Sequence, residues 1–427
     1  MIVRVSPAIC RGTVSVPPSK SMAHRALLCA ALADGTCTLN GITSSQDMTA
    51  TLHALDAMGC RVIRTGDRCT VTGCGGFPLH LPDDVTVDCC ESGSALRFLI
   101  PLFALGRQRT VFTGHGRLMQ RSQSVYEQLF AERRLLFERK EDRLIVQGAL
   151  QPGDFSLSGN VSSQFITGLL YALPLMDGDS RILITPPFQS RGYVDLTLQM
   201  LRTFGIKAWF EDAYTLIVPG NQTYRATDHS VEGDYSQSAF FAVLAALQGG
   251  ITLTNLRHDS LQGDKVILDI LKSCGANISA VENGYAFEPS ALCGRVIDVS
   301  DCLDLAPILS VMGMYASGET RLINAARLRD KESDRIEAME TELRKLGVTV
   351  SSTQDSMTIT SCADSAIAQP VTVHGHNDHR IVMALAIAAT LGHAPVTIED
   401  AQAVAKSFPD FFDVLSSIGG RIEVIHE

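Results

Sequence analysis

The 427-residue sequence predicts a mixed α/β fold in which one strand–helix–strand–helix–strand–strand unit occurs six times, three copies in each of two domains. Two glycine series and a recurring strand pattern carry this prediction. Gly35, Gly106, Gly178, Gly249, Gly318 and Gly392 follow successive apolar helical stretches at spacings of 69–74 residues. Gly59, Gly205, Gly275, Gly347 and Gly419 end a second helix with the same period, and Glu132 stands near the expected place in the second copy. Glycines at such positions stop helices in a left-handed turn. A fixed period of this kind marks a repeated supersecondary unit.

The second copy shows every element. Val85–Asp88 and Arg109–Thr113 read as strands, with an apolar helix after Glu91–Ser94 between them. A tip at Gly114–Arg121, a helix at Ser124–Glu132 and a hairpin over Leu135–Val146 follow. Short alternating runs such as Arg143–Val146 and, in the fifth copy, Val348–Ser352 with Met357–Thr360 are the hairpin strands. The sixth copy stops after Arg421–Ile425. Ile2–Val5 is a strand that the first copy does not need, so it is expected to complete the sixth. The domains are then 15–231, with copies one to three, and a discontinuous 1–14 plus 232–427, with copies four to six. Two segments cross between them, and a hinge there is a common place for a ligand cleft.

Composition narrows the function classes. With 45% hydrophobic and 19% charged residues the chain is globular. The longest apolar stretch, near Ile381–Leu391, falls short of a membrane span. The N-terminal segment has neither a signal-peptide core nor transit-peptide character, so a bacterial-type cytoplasmic protein is expected. A formal net charge of −10 argues against nucleic acid as a partner and requires any anion site to be a local basic pocket. The twelve cysteines are scattered, with no Cys-x-x-Cys pair, and read as reduced, buried thiols rather than a metal site.

Pro17–Arg25 delivers Lys20, Ser21 and Arg25 to the start of an apolar helix. Free N–H groups and the positive end of the helix dipole favour an anion there. The stretch alone fits either a phosphate or carboxylate clamp or an ordinary serine cap with two surface cations. The other apolar helices also begin with polar residues, at Glu91–Ser94, Ser162–Gln164, Ser236–Ser238, Asp301–Asp304 and Asn377–Arg380. Capping explains the Ser, Asp and Asn residues. It does not explain Lys20, Arg25, Arg97 and Arg380, because cations are disfavoured at a helix N-terminus unless an anion or carboxylate is present. The tips add Gly116–Arg121, Gln189–Tyr193, Arg327–Arg335 and Ala405–Pro409. Read as a helix face, the Arg327–Arg335 run sets Asp330 against Asp334 and Lys331 against Arg335, like charges that something else must neutralise.

These stretches make the chain resemble the 5-enolpyruvylshikimate-3-phosphate synthase family along essentially its whole length. The motifs are Pro18–Arg25, Ser92–Arg97, Val161–Phe165, Val231–Asp234, Arg329–Arg335, Asn377–Arg380 and Lys406–Asp410, in the family's order. The resemblance implies an enolpyruvyl-transferase-like fold of two domains with three βαβαββ units each. It also implies transfer of the enolpyruvyl group of phosphoenolpyruvate to the 5-hydroxyl of shikimate 3-phosphate, releasing phosphate, without a metal or organic cofactor. By matching positions, Lys20, Ser21, Arg25, Ser162, Ser163, Gln164, Ser190, Asp304 and Lys331 would hold shikimate 3-phosphate, with Tyr193 near its ring. Lys20, Gly93, Arg121, Gln164, Arg335, Arg380 and Lys406 would hold phosphoenolpyruvate. Asp304 would deprotonate the 5-hydroxyl, and Glu332 or Lys20 would handle the methylene proton. The partners are small molecules only, with no nucleic acid or membrane, and a monomer is expected.

The sequence departs from the family's commonest pattern at Glu91, Ser94 and Phe98, where Asn, Thr and Pro are usual, and at Arg327, where Asn is frequent. A carboxylate at Glu91 would either repel phosphoenolpyruvate or pair with Arg121. Two other readings bear comparison. The related UDP-N-acetylglucosamine enolpyruvyl transferases carry a reactive cysteine on the second tip, and Gly114–Arg121 has none. A non-catalytic repeat scaffold would lack the clustered Arg and Lys.

Overall fold

A computed structural model of the chain describes residues 1–78, 81–362 and 366–425. It divides into two compact units, one formed by residues 1–19 and 232–427, the other by 20–231. Each unit holds three four-stranded sheets of one topology. In every sheet a first strand pairs parallel with a second, the second pairs antiparallel with the fourth, and the fourth pairs with the third. In the second copy these are Asp84–Asp88, Arg109–Thr113, Arg143–Gln147 and Leu136–Arg139. The third copy repeats the order with Asp154–Ser158, Ser180–Thr185, Thr215–Val218 and Trp209–Phe210.

Chain ends complete the pattern. Ile2–Ser6 pairs antiparallel with Arg421–Ile425 and with Val396–Glu399, which is the place expected for it in the sixth copy. The first strands of copies one and four, however, are not the segments that precede them along the chain. Gly12–Ser15, which runs toward Lys20, pairs with Ile251–Thr254 of the fourth copy. His229–Ser230, at the end of the third copy, pairs with the Thr36–Asn40 strand of the first. Each unit therefore completes one of its sheets with a strand that sequence order assigns elsewhere. A parallel pairing needs a distant partner, and local pattern does not name it.

The helix that joins the first two strands of each copy is buried on nearly all sides. From Met22 to Leu32 every residue of the Lys20–Leu32 helix is buried, and from His379 to Thr390 the same holds for His379–Leu391. A helix that is apolar all round is stable only inside a core, and small residues such as Ala30, Ala31, Ala388 and Ala389 let its neighbours approach. The two apolar cores follow the two units. Among the described residues no helix is long and apolar enough to cross a membrane.

All five glycines of the second series have positive φ, as their role requires. The first series is less uniform, since Gly392 caps its helix at φ −75°. In the second copy the left-handed position after the helix is filled by Arg134, at φ 56°, rather than by a residue near Glu132. Arg134 is exposed, and a non-glycine residue there costs about 1 kcal/mol. Arg134→Gly is accordingly expected to stabilise the 20–231 unit by about 1 kcal/mol, read as a higher urea midpoint with an unchanged slope. The cysteines also differ from expectation. Cys74 and Cys293 are exposed and Cys90 and Cys362 half-buried, while the other eight are buried.

Candidate active site

In the 20–231 unit, Lys20 opens the first central helix and its Nζ donates to Asp47 Oδ2 at 2.5 Å. A cation at a helix start is thus met by a carboxylate from the following helix, Gln46–Ala57. Arg25, one turn on, is 2% exposed. Its guanidinium donates to the Ser21 carbonyl at 2.7 Å, the Tyr193 carbonyl at 2.9 Å and Thr197 Oγ1 at 3.0 Å. Arg25 so ties the start of the first helix to the start of the Arg191–Thr203 helix, before which Ser190 sits buried in a left-handed conformation.

A second group in this unit surrounds Arg97. Its guanidinium donates to Gln164 Oε1 and to the Ser122 carbonyl, both at 2.8 Å, and lies 4.8 Å from the Phe165 ring centroid. Gln164 Nε2 in turn donates to Ser94 Oγ at 2.8 Å. Ser162 caps the Ser163–Ala172 helix by accepting from the Gln164 N–H, and Ser163 is buried. Arg121, 6% exposed, approaches the Gly93 backbone so closely that a Cβ at 93 would lie 2.7 Å from its Nη1. Only glycine leaves room for that guanidinium.

In the other unit one charged network gathers five of the expected residues, Asp304, Lys331, Glu332, Arg335 and Arg380, together with Asp378. Asp304 Oδ1 accepts from Lys331 Nζ at 3.2 Å and Arg335 Nη1 at 2.9 Å, and its Oδ2 accepts from Arg380 Nη2 at 3.0 Å. Arg335 also donates to Glu332 Oε2 and Asp378 Oδ2, each at 2.8 Å. Lys406, 4% exposed, donates from Nζ to the Asn377 carbonyl at 2.6 Å. Burial alone would lower the Arg335 pKa, but the Asp378, Glu332 and Asp304 carboxylates outweigh it and keep the guanidinium charged. Burial likewise pushes Asp378 up, and Arg335 more than reverses this, holding the carboxyl below its usual range.

The Arg327–Arg335 run does not form one helix face, in keeping with the like charges that counted against that reading. Ala326–Asp330 forms a 3-10 turn and the helix begins only at Arg335, with Asp334 as its N-cap. Lys331 and Arg335 are therefore not stacked one helical turn apart. Both reach Asp304 instead, so the like charges are neutralised by a residue in a different repeat element.

Three acidic residues complete these groups without having been singled out. Asp378 lies within the Asn377–Arg380 stretch, where capping hid its second role as the partner of Arg335. Asp47 carries no local signal, because its pairing with Lys20 is tertiary. Asp264 sits at the tip of the fourth copy, and the repeat register could have found it. It is 3% exposed, and burial, followed by the field of Asp304, pushes its carboxyl up to about 6 despite the nearby Arg380 and a hydrogen bond with Ser236.

A family model for EPSP synthase (3-phosphoshikimate 1-carboxyvinyltransferase) matches residues 6–415. The chain belongs to the EPSP synthase family. The 3-phosphoshikimate 1-carboxyvinyltransferase of Clostridium kluyveri is 41% identical over 423 residues, covering 99% of this chain and 98% of the relative. That of Clostridioides difficile is 39% identical over 431 residues, with coverage of 99% and 98%. The solved EPSP synthase of Acinetobacter baumannii superposes with a TM-score of 0.80 at 26% identity, covering all of both chains. The enolpyruvyl transferase NikO from Streptomyces tendae, at 14% identity, gives 0.78 over 99% of this chain and 98% of that one, a likeness of fold.

The positions read above as departures from the family's commonest pattern are built into the packing of this chain. Phe98 lies beneath the Arg25 guanidinium, 5.4 Å from carbon to ring centroid, and edge-on to Tyr171. Ser94 accepts from Gln164. Arg327 donates to the Ser300 carbonyl. The Glu91 carboxylate lies against Gly116 on the tip, 2.4 Å from where a Cβ would stand.

Asp264 makes stability depend on pH. Between its ordinary value of 3.8 and about 6 the folded chain binds more protons than the unfolded one, so stability falls as pH rises through this window and stays reduced above it. Asp264→Asn is expected to stabilise its unit by about 2–3 kcal/mol at pH 7.5 and by almost nothing at pH 4. Thermal melts of both proteins at the two pH values check this, and an equal difference at both would contradict it.

Proposed function

We propose that the chain transfers the enolpyruvyl group of phosphoenolpyruvate to the 5-hydroxyl of shikimate 3-phosphate, giving 5-enolpyruvylshikimate 3-phosphate and phosphate. Full-length membership of the EPSP synthase family carries this reading. The charged network around Asp304 supports it. Two phosphorylated substrates, one with an added carboxylate, need fixed cations, and arginine forks recognise phosphate and carboxylate by geometry. Three cations converge on Asp304, and Lys406 adds a fourth beside Asn377.

The residue roles follow from chemistry and placement. Lys331, Arg335, Arg380 and Lys406 contribute positive charge in one unit, and Lys20 and Arg121 in the other. Ser21, Ser162, Ser163, Gln164 and Ser190 sit at or beside starts of helices in the 20–231 unit, where hydroxyls, an amide and backbone N–H groups can bind phosphate and ring oxygens. Arg25 keeps the Ser21 and Tyr193 backbones in register, and Gly93 leaves space for Arg121. Asp304 takes the 5-hydroxyl proton as the oxygen attacks C2 of phosphoenolpyruvate, while Glu332 or Lys20 protonates the methylene carbon. Carboxylates beside the developing cationic carbon stabilise it. Loss of phosphate and of one methyl proton then restores the double bond.

Phosphate release from purified protein given both substrates tests the reading. Release requiring a UDP-sugar in place of shikimate 3-phosphate would transfer the chain to the related class, and none with either would leave a scaffold. A cytoplasmic monomer belongs to the same proposal, and light scattering at a mass other than 46.1 kDa would exclude the monomer.

A further inference from the structure

We propose that His53, Asp88 and Cys90 form a binding site for a thiophilic divalent cation of the zinc class. The three residues come from separate elements of the 20–231 unit. His53 stands on the Gln46–Ala57 helix, Asp88 ends the Asp84–Asp88 strand, and Cys90 lies in the turn that enters the Gly93–Phe103 helix. One ligand atom from each lies within 4.8 Å of the other two. Around tetrahedral zinc, with bonds of about 2.0–2.3 Å, ligand atoms are about 3.3–3.8 Å apart. His53 is exposed, so rotation of its side chain is the movement that binding requires.

Further geometry favours a cation here. Asp88 Oδ1 is fixed by the Cys90 N–H at 2.8 Å, and its Oδ2 lies 3.6 Å from His115 Nε2. The His115 backbone N–H donates to the Cys90 carbonyl at 2.6 Å, which keeps residue 115 at the same turn, and its imidazole, beside Asp88, is the candidate for the fourth position. Cys90 has φ 50°, a conformation that glycine adopts freely and cysteine does not. Sulfur, imidazole and carboxylate together suit zinc rather than magnesium or calcium.

On binding, the Cys90 thiol exchanges its proton for the metal and the proton passes to solvent. The consequence for turnover rests on the enolpyruvyl-transfer reading. The same turn runs into Gly93, against which Arg121 packs, so an occupied site would fix this turn and slow phosphate release.

Titration of the metal-free, reduced full chain with Co²⁺ reads the site directly. The expected result is a thiolate-to-cobalt charge-transfer band that saturates at a single equivalent, is displaced by Zn²⁺ and disappears in Cys90→Gly. That variant suits the left-handed backbone and should fold. His53→Ala should bind at least tenfold more weakly. The Cys60 and Cys74 sulfurs, 3.2 Å apart, are the competing thiol site. Cys74→Ser should leave the band intact. No band, or a band kept in Cys90→Gly and lost in Cys74→Ser, overturns the proposal whatever the protein's activity. Absence of phosphate release from the metal-free protein bears instead on the transferase reading.

Discussion

Arg335→Ala is expected to destabilise the unit formed by residues 1–19 and 232–427 by about 3–5 kcal/mol and to abolish turnover. The side chain is 1% exposed and bonds three carboxylates at once. Asp378 is fully buried, and beyond Arg335 it has Ser333 Oγ at 3.0 Å and the Arg380 N–H at 2.9 Å. Those neutral donors do not replace a guanidinium, so truncation leaves a buried charge without its counter-charge. Arg335→Lys keeps the charge but cannot span Asp378, Glu332 and Asp304 together, and should fall between alanine and the parent. The double variant Arg335→Met with Asp378→Asn removes both charges and should regain more than half of the lost stability without regaining activity. Urea unfolding monitored for this unit measures all three. An unfolding free energy for Arg335→Ala within about 0.5 kcal/mol of the parent would show that the network is not what holds the helix start in place.

Elements and partners that the repeat register names were legible in the sequence, and pairings that the register leaves open were not. A period near 72 residues and alternating strands are written into consecutive residues, so the repeated unit and the pairing of Ile2–Ser6 with Arg421–Ile425 could be read in advance. The exchange of Gly12–Ser15 and His229–Ser230 between copies could not, because each strand fits the local pattern equally well in either place. The same division holds at the candidate site. Lys20 and Arg380 stood out because cations at helix starts are locally unfavourable, and Arg335 because its run sets like charges together. Their partners Asp47, Asp304 and Asp378 arrive from other elements, and of these only Asp304 was assigned a role. Asp264 escaped notice for a related reason, since a single aspartate in a turn gives no sign that burial and Asp304 will raise its pKa. The Arg327–Arg335 run, whose like charges already counted against a plain helix face, shows how far the local pattern reaches. Its spacing fits a helix, but the chain spends those residues on a 3-10 turn and a cap, which releases Lys331 toward Asp304.

Asp304→Asn is expected to lower kcat by about 100- to 10,000-fold while leaving KM for both substrates unchanged or reduced. The substitution keeps the shape and one acceptor oxygen, so Lys331, Arg335 and Arg380 retain a neutral neighbour. What disappears, on the proposed roles, is the base for the 5-hydroxyl, together with one unit of negative charge. With that charge gone the three cations face incoming phosphate and carboxylate groups with less competition, which favours ground-state binding. Loss of the base acts only on the step in which the hydroxyl oxygen attacks. A structural role alone predicts the opposite division, because a displaced set of cations would raise KM before it touched kcat. Steady-state kinetics in both substrates, with circular dichroism to confirm folding, separates the two cases. If Asp304→Asn raised KM at near-normal kcat, Asp304 would be a tether for the cations and the proton acceptor would have to be sought elsewhere, with Glu332 the next carboxylate in the same network.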